Sequence, residues 1–296
     1  MHVAATTARR VALVTCEAFP DLYVDDHLLV AALEELDIRP EPTVWSRAEI
    51  DWASFDAIIM RSPWDYFERV TEFRSWLDAR VASGVRMCNS PQILQWNFDK
   101  RYLQDLARNG VELVPSLFIA KGEEPDIAAL ARARGWEEIV VKPTISGGAY
   151  RTHRFHIDAL PDYSTDIATT LRDRGVLVQP FLPEILSDGE LSLLFFDGEF
   201  SHAVRKRPAP GEYRVQFQFG GVSEDVALDE ALIAQARRCL DHMPGPSVYA
   251  RVDGLEINGR FLLMELEAFE PLMFLSRNAG AAARFARAIQ RQLTSS

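Results

Sequence analysis

Two acidic residues stand two apart in an otherwise apolar run, FLLMELEAFEP, residues 261–271. A strand turns alternate side chains to opposite faces, so Glu265 and Glu267 share a face with Cα atoms about 6.5 Å apart. Carboxylates that close repel, and burying either without a partner costs several kcal/mol, so a cation has to lie between them. Upstream, VYARVDG (248–254) reads as a second strand, joined to the first across Asn258-Gly259. A two-residue turn would set Asp253 opposite Met264 and point it away from the glutamates. An odd-length turn, such as a type I turn with a bulge at Gly259, puts Asp253, Glu265 and Glu267 on one face, with Arg251 beside them. The odd-length turn is the expectation. Three carboxylates and an arginine suit Mg²⁺, a hard cation that takes oxygen ligands. The plain alternative is that Arg251 pairs a glutamate and Asp253 belongs to the turn.

Other residues carry weaker signals. Lys142 lies inside the apolar strand EIVVKPT, where a lysine needs an anion or an edge from which to reach water. SGGAYR (146–151) follows, and a turn at Ser146, Gly147 and Gly148 can aim backbone N–H groups at a phosphate. VRKRPAPGEYRVQFQFGG (204–221) gathers Arg205, Lys206, Arg207 and Arg214 in a Pro- and Gly-containing stretch that reads either as a catalytic lid or as a solvated basic loop. GxxxxGK[ST], HExxH and GxSxG are all absent, which argues against a P-loop, zinc chemistry and a serine nucleophile.

The elements that must position these residues change character along the chain. The first ninety residues alternate strand and helix: VALVTC, a helix over 25–36 with Asp25 as its N-cap, a strand near PTVW, FDAIIMRS, a helix ending at Gly84, then VRMCN. That order predicts a doubly wound parallel sheet, with ligands beyond the strand ends at loops 17–24 and 61–66. There Arg61 offers a bidentate site for a substrate carboxylate, with Ser62 beside it and Trp64 as an apolar wall. Arg61 in a solvent-facing turn is the alternative. One helix is expected over 91–110, carrying Lys100. An α+β unit follows to about residue 181, then a hairpin at Asp197-Gly198, a helix over 228–242, the two acidic strands and a last helix over 278–293. The corresponding domains are 1–92, 93–181 and 182–296.

Bulk composition restricts the partners. The 296 residues are 48% hydrophobic and 25% charged, with a net charge of −11, which disfavours nucleic acid and anionic membranes. Cys16, Cys88 and Cys239 are odd in number and widely spaced, as expected of free thiols in a cytoplasmic protein. The N-terminal stretch has no apolar core of a secretory signal, and no apolar run is long enough to span a membrane.

MRSPWDY, NSPQILQWNFDK, VVKPTISGGAYR, LVQPFLPEILSDGE and YARVDG…LMELEAFEP, in this order, resemble the ATP-grasp superfamily over residues 11 to 275. Its bacterial glutathione synthetases and the cyclo-ligase of D-cycloserine biosynthesis are the most similar branches. The resemblance implies a carboxylate–amine ligase on small molecules that uses ATP and Mg²⁺, with Mn²⁺ as a substitute and a homodimer left open. It implies that Lys100 and Lys142 hold phosphates, as does the Ser146–Gly148 turn. Gln179, Pro180, Phe181 and Leu182 would meet adenine, and Glu184 or Asp188 the ribose. Arg205 or Lys206 would reach the γ-phosphate. Asp253, Glu265 and Glu267 would bind metal, and Arg251 would steady a phosphorylated intermediate. Many members carry Asn where this chain has Glu267, which adds a negative charge at the metal. A small-molecule kinase and a nucleotide-binding module without turnover are the other readings.

Overall fold

The computed structural model describes residues 8–294; residues 1–7, the start of the stretch read for a secretory signal, lie outside it. β1 (Arg9–Thr15), β2 (Ile38–Val44), β3 (Ala57–Ser62) and β4 (Met87–Cys88) form a parallel sheet of order β2-β1-β3-β4. Its central strands read as unbroken apolar runs because both faces are covered. Val11, Leu13 and Ile59 pack with α1 (His27–Glu34) and with α9 (Ala281–Thr294), which returns from the far end of the chain. Ala12, Val14, Ile58 and Met60 face Phe73 and Leu77 of α2 (Val70–Ala82). Asp25 is not the cap expected of it. It is buried before α1 and accepts from the backbone of Leu275 and Ser276, a partnership that only the tertiary fold creates.

The helix expected over 91–110 is broken. α3 (Pro91–Asn97) starts on Ser90, whose hydroxyl accepts the Ile93 N–H, and α4 (Tyr102–Arg108) begins after a turn. Lys100 sits in the break, its N–H given to Thr144 O at 2.8 Å rather than to a helical carbonyl. Next come β5 (Leu117–Ile119), α5 (Ile127–Arg132), β6 (Glu138–Pro143), β7 (His153–His156), α6 (Leu160–Asp173) and β8 (Val176–Pro180). Their strands form an antiparallel sheet of order β5-β8-β6-β7.

After α7 (Glu184–Ser187), a third sheet collects β9 (Glu190–Phe196), β10 (Glu199–Arg207), β11 (Val222–Asp225), β12 (Tyr249–Ile257) and β13 (Arg260–Glu267), in the order β11-β10-β9-β12-β13. α8 (Glu230–Arg237) covers it. The Asp197-Gly198 hairpin forms with both residues left-handed, φ 55° and 75°. β11 was not anticipated: the tail of the basic loop becomes an edge strand on β10.

The β12–β13 hairpin corrects the expected turn. Ile257 pairs Arg260 across two left-handed residues, Asn258 and Gly259, so the turn is of the regular two-residue kind. A bulge then shifts the register: Gly254 pairs Leu263, yet Asp253 pairs Glu265 and Arg251 pairs Glu267. The extra residue is Met264, and the shared face arises there rather than at the turn. Glu265 and Glu267 both line the cleft described below, as do Arg251 and Asp253 opposite them. Gly254 permits the bulge, since a Cβ there would stand 2.5 Å from Leu262 O and from the Phe261 ring. The three cysteines are free and buried, and among the described residues no helix is long and apolar enough to cross a membrane.

Candidate active site

A cleft of about 1170 Å³ lies between the β6–β8 sheet and β12–β13 and extends to the ends of the parallel strands. That is above the roughly 300–1,000 Å³ of a pocket for one small ligand. β13 is an edge strand, so its outer backbone groups need partners from elsewhere. Asn97 donates to Leu266 O and accepts from Ala268 N, both at 2.7 Å, and Tyr102 Oη accepts from Leu266 N at 2.9 Å. These bonds from α3 and α4 hold the strand with its glutamates turned inward.

The question raised by the two glutamates has a direct answer. Lys142 Nζ lies 2.6 Å from Glu265 Oε1 and Lys100 Nζ lies 3.7 Å from Glu265 Oε2, so two lysines from different elements meet on one carboxylate. Arg251 bridges the other two: its Nη2 is 2.9 Å from Asp253 Oδ2 and 2.5 Å from Glu267 Oε1. Lys206 pairs Glu190 and stands 3.4 Å from Asp253 Oδ2. Ser192 Oγ donates to Asp253 Oδ1 at 2.5 Å.

These partners set the ionisation. Burial works to raise Asp253 and Glu265, but Arg251 and Lys206 in one case, and Lys100 and Lys142 in the other, hold each carboxyl down at about 2. Burial instead dominates at Glu267, which is pushed up to about 8 against the pull of Arg251. Glu267 keeps 27% of its side chain open, so water in the cleft tempers that push. Glu270, absent from the sequence-based reading, lines the same wall and is raised by burial to about 7. The desolvation of these acids follows from the apolar residues that alternate with them.

Ser146, Gly147 and Gly148 line the cleft, and the backbone oxygen of Ser146 accepts from Lys100 Nζ at 2.8 Å. Gly148 is left-handed, φ 55°, and a Cβ on it would meet Gln218 Nε2 at 2.9 Å. The basic loop closes over this turn, with Gln218 donating to Gly148 O and Tyr213 Oη to Thr152 O, both at 2.9 Å. Arg214 lines the cleft from that loop, paired with Glu212 at 2.6 Å and stacked on Phe219. Pro180, Phe181 and Leu182 line the cleft together with Val140, Leu255 and Met264, and Gln179 beside them donates to Ser116 Oγ at 2.9 Å.

Several expected residues lie elsewhere. Arg61 is fully buried outside the cleft: it pairs Asp26 at 2.9 Å, donates to Pro271 O and Met60 O, and lies over the Tyr249 and Phe285 rings. It is therefore neither a substrate anchor nor a solvent-facing turn residue. Ser62 is equally buried and bonded to Thr15. Trp64 does line the cleft, its indole N–H donating to Glu270 O at 3.1 Å, with Phe19 and Tyr23 against its ring. Lys206 faces inward, so its strand neighbour Arg205 faces out and donates to Asp188 O. Asp188 is exposed and bonded to Ser187. Glu184 keeps a buried oxygen, Oε2, without a hydrogen-bond partner.

Among the described residues, no three His, Cys, Asp or Glu side chains are grouped as a metal site. Basic groups hold the carboxylates, and Asp253 is the least available, with both its oxygens bonded. The donor chemistry nevertheless fits a hard divalent cation at Glu265 and Glu267, whose side chains remain 19% and 27% open. The left-handed Gly148 turn, whose backbone a Cβ would crowd, fits a phosphate-bearing nucleotide beside it.

Known proteins resemble this chain in sequence and fold. Residues 11–89 match the family described as D-cycloserine synthetase DcsG, N-terminal domain, and residues 106–244 match prokaryotic glutathione synthetase, ATP-grasp domain. The cycloserine biosynthesis protein DcsG of Streptomyces lavendulae is 30% identical over 95% of this chain and 98% of its own. The crystal structure of D-cycloserine synthetase DcsG superposes with TM-score 0.87 at 31% identity, covering 96% of this chain and all of that one. D-Alanine–D-alanine ligase of Bacillus anthracis, solved with ATP, shares the fold at TM-score 0.69 and 18% identity, over 97% of both chains.

Proposed function

This chain belongs to the ATP-grasp ligases, and from that premise we propose that it activates a small amino-acid-like carboxylate as an acyl phosphate and joins it to a nitrogen nucleophile. The observation that carries this reading is the meeting of Lys100 and Lys142, 42 residues apart, at Glu265, on the wall that also presents Arg251, Asp253 and Glu267.

In the proposed reaction the adenine occupies the slot of Gln179 to Leu182, with Glu184 at the ribose. Lys100, Lys142, Lys206 and the N–H groups of the Ser146–Gly148 turn bind the phosphates. Glu265 and Glu267 would hold Mg²⁺, or Mn²⁺ in its place, with Lys100 and Lys142 turned from Glu265 to phosphate. The ion supplies electrophilic stabilisation of the transferring phosphoryl group. A substrate carboxylate oxygen attacks the γ-phosphorus and ADP leaves. Arg251 stabilises charge on the resulting acyl phosphate. The nitrogen then attacks the carbonyl carbon and phosphate departs. An acyl phosphate hydrolyses readily, and the loop over Gly148 that carries Arg214 excludes water.

ADP release across pools of amino acids and amines, repeated with hydroxylamine as the nucleophile, tests this. Carboxylate-dependent ADP release with hydroxamate formation is expected. ADP release on an alcohol with no carboxylate present would make the protein a kinase. ATP binding with no turnover on any pair would leave a nucleotide-binding module.

A further inference from the structure

The cations of the cleft are already committed, with one exception. Lys100 and Lys142 meet Glu265, Lys206 meets Glu190 and Asp253, and Arg251 meets Asp253 and Glu267. Arg151 reaches Asp166 at 3.7 Å, and Arg214 holds Glu212 at 2.6 Å. Arg277 lines the same cleft and, among the described residues, has neither a carboxylate partner nor a side-chain hydrogen bond. Arg277 is exposed on the wall of the main cleft, so its guanidinium is free to meet an anion that enters from solvent without first leaving an acid partner.

Its place is set by the backbone. Phe274 is left-handed, φ 48°, and opens a single helical turn, Leu275–Arg277, in which the Arg277 N–H donates to Phe274 O at 3.0 Å. Asp25 pins that turn by accepting from Leu275 N at 2.7 Å, Ser276 N at 3.0 Å and Ser276 Oγ at 2.6 Å. The turn is thereby joined to the segment that carries Tyr23, whose ring stands 5.1 Å from Trp64 and 5.9 Å from Phe19. Deeper in the cleft the wall is acidic, with Asp253, Glu265, Glu267 and Glu270. Those acids already hold the lysines and Arg251, so an anion that does not displace them meets uncommitted positive charge at Arg277.

We infer that Arg277 anchors an acid group of the acceptor, distinct from the carboxylate that is activated, with Phe19, Tyr23 and Trp64 covering the acceptor's apolar part. Arginine suits this because its planar fork can take a carboxylate bidentately. The inference rests on the ligase reading above and makes Arg277 a binding residue that sets acceptor specificity.

Calorimetry with a non-hydrolysable ATP analogue bound tests it, using glycine, D-alanine, D-serine and β-alanine, each against its own amide. At least one acid is expected to bind the wild type more tightly than its amide. Arg277→Ala should weaken that acid about tenfold to a hundredfold and leave the amide and the ATP analogue unchanged, and Arg277→Lys should recover part of the loss. Equal binding of acid and amide to the wild type, or undiminished acid binding to Arg277→Ala, would overturn the assignment. If acid binding depends on Arg277 while the wider screen of carboxylate–amine pairs gives no ADP release, the anchor stands and the ligase reading falls.

Discussion

Arg61 and Arg251 are both buried arginines that donate from all three guanidinium nitrogens, yet they do opposite work. Arg61 closes an ion pair with Asp26 behind the parallel sheet, and its other donors go to main-chain carbonyls of Met60 and Pro271. Everything it holds belongs to the folded core. Arg251 spreads over Asp253 and Glu267 on a wall that opens into the cleft, and only its Nη1 goes to the main chain, at Leu272 O. A buried ion pair of the first kind holds the fold. One of the second kind stores charge that an incoming ligand can rearrange.

The comparison breaks most sharply at Arg61. Arg61→Ala leaves Asp26 buried and uncompensated, so a loss of about 3–5 kcal/mol in unfolding free energy is expected by denaturant titration. Kinetic constants per folded molecule should stay unchanged, and adding Asp26→Asn should return part of the stability. A raised Michaelis constant for the acceptor alone would put Arg61 back at the substrate.

The cleft should show the reverse pattern. Glu265→Gln should lower ADP formation about a hundredfold to a thousandfold per folded molecule, and, because it takes the acid away from Lys100 and Lys142, it should also lower the melting temperature. Near-normal turnover in that variant would refute the metal and phosphate assignment.

A smaller effect sharpens the link between hairpin and site. Gly254→Ala drives a Cβ into Leu262 O and the Phe261 ring, so about 1–3 kcal/mol of destabilisation is expected together with reduced turnover as the bulge shifts Glu265. A variant with wild-type melting temperature and activity would show that the bulge does not need glycine. The smallest effect belongs to Arg205. Arg205→Ala should stay within about twofold of wild-type activity, because strand parity turns this side chain away from the cleft that Lys206 enters. If Arg205→Ala and Lys206→Ala were equally damaging, the facing of β10 would be wrong.

Much of this was legible in the residues. Glu265 and Glu267 had to share a face because strand parity is local, and two close acids in an apolar run demanded a cation. The parallel sheet, the Asp197-Gly198 hairpin and the small sheet around Lys142 followed from periodicity and turn chemistry, which are also local. What the sequence could not decide was where two distant pieces meet. Parity across β12 and β13 depended on a one-residue bulge at Met264 that leaves no signature in composition. That Lys100 joins Lys142 at Glu265 depended on a break in the 91–110 helix, stabilised by a bond from Lys100 to Thr144. Whether the arginine at the end of β3 faced substrate or core depended on Asp26 and on α9 packing beneath it, and only the folded chain brings those residues together.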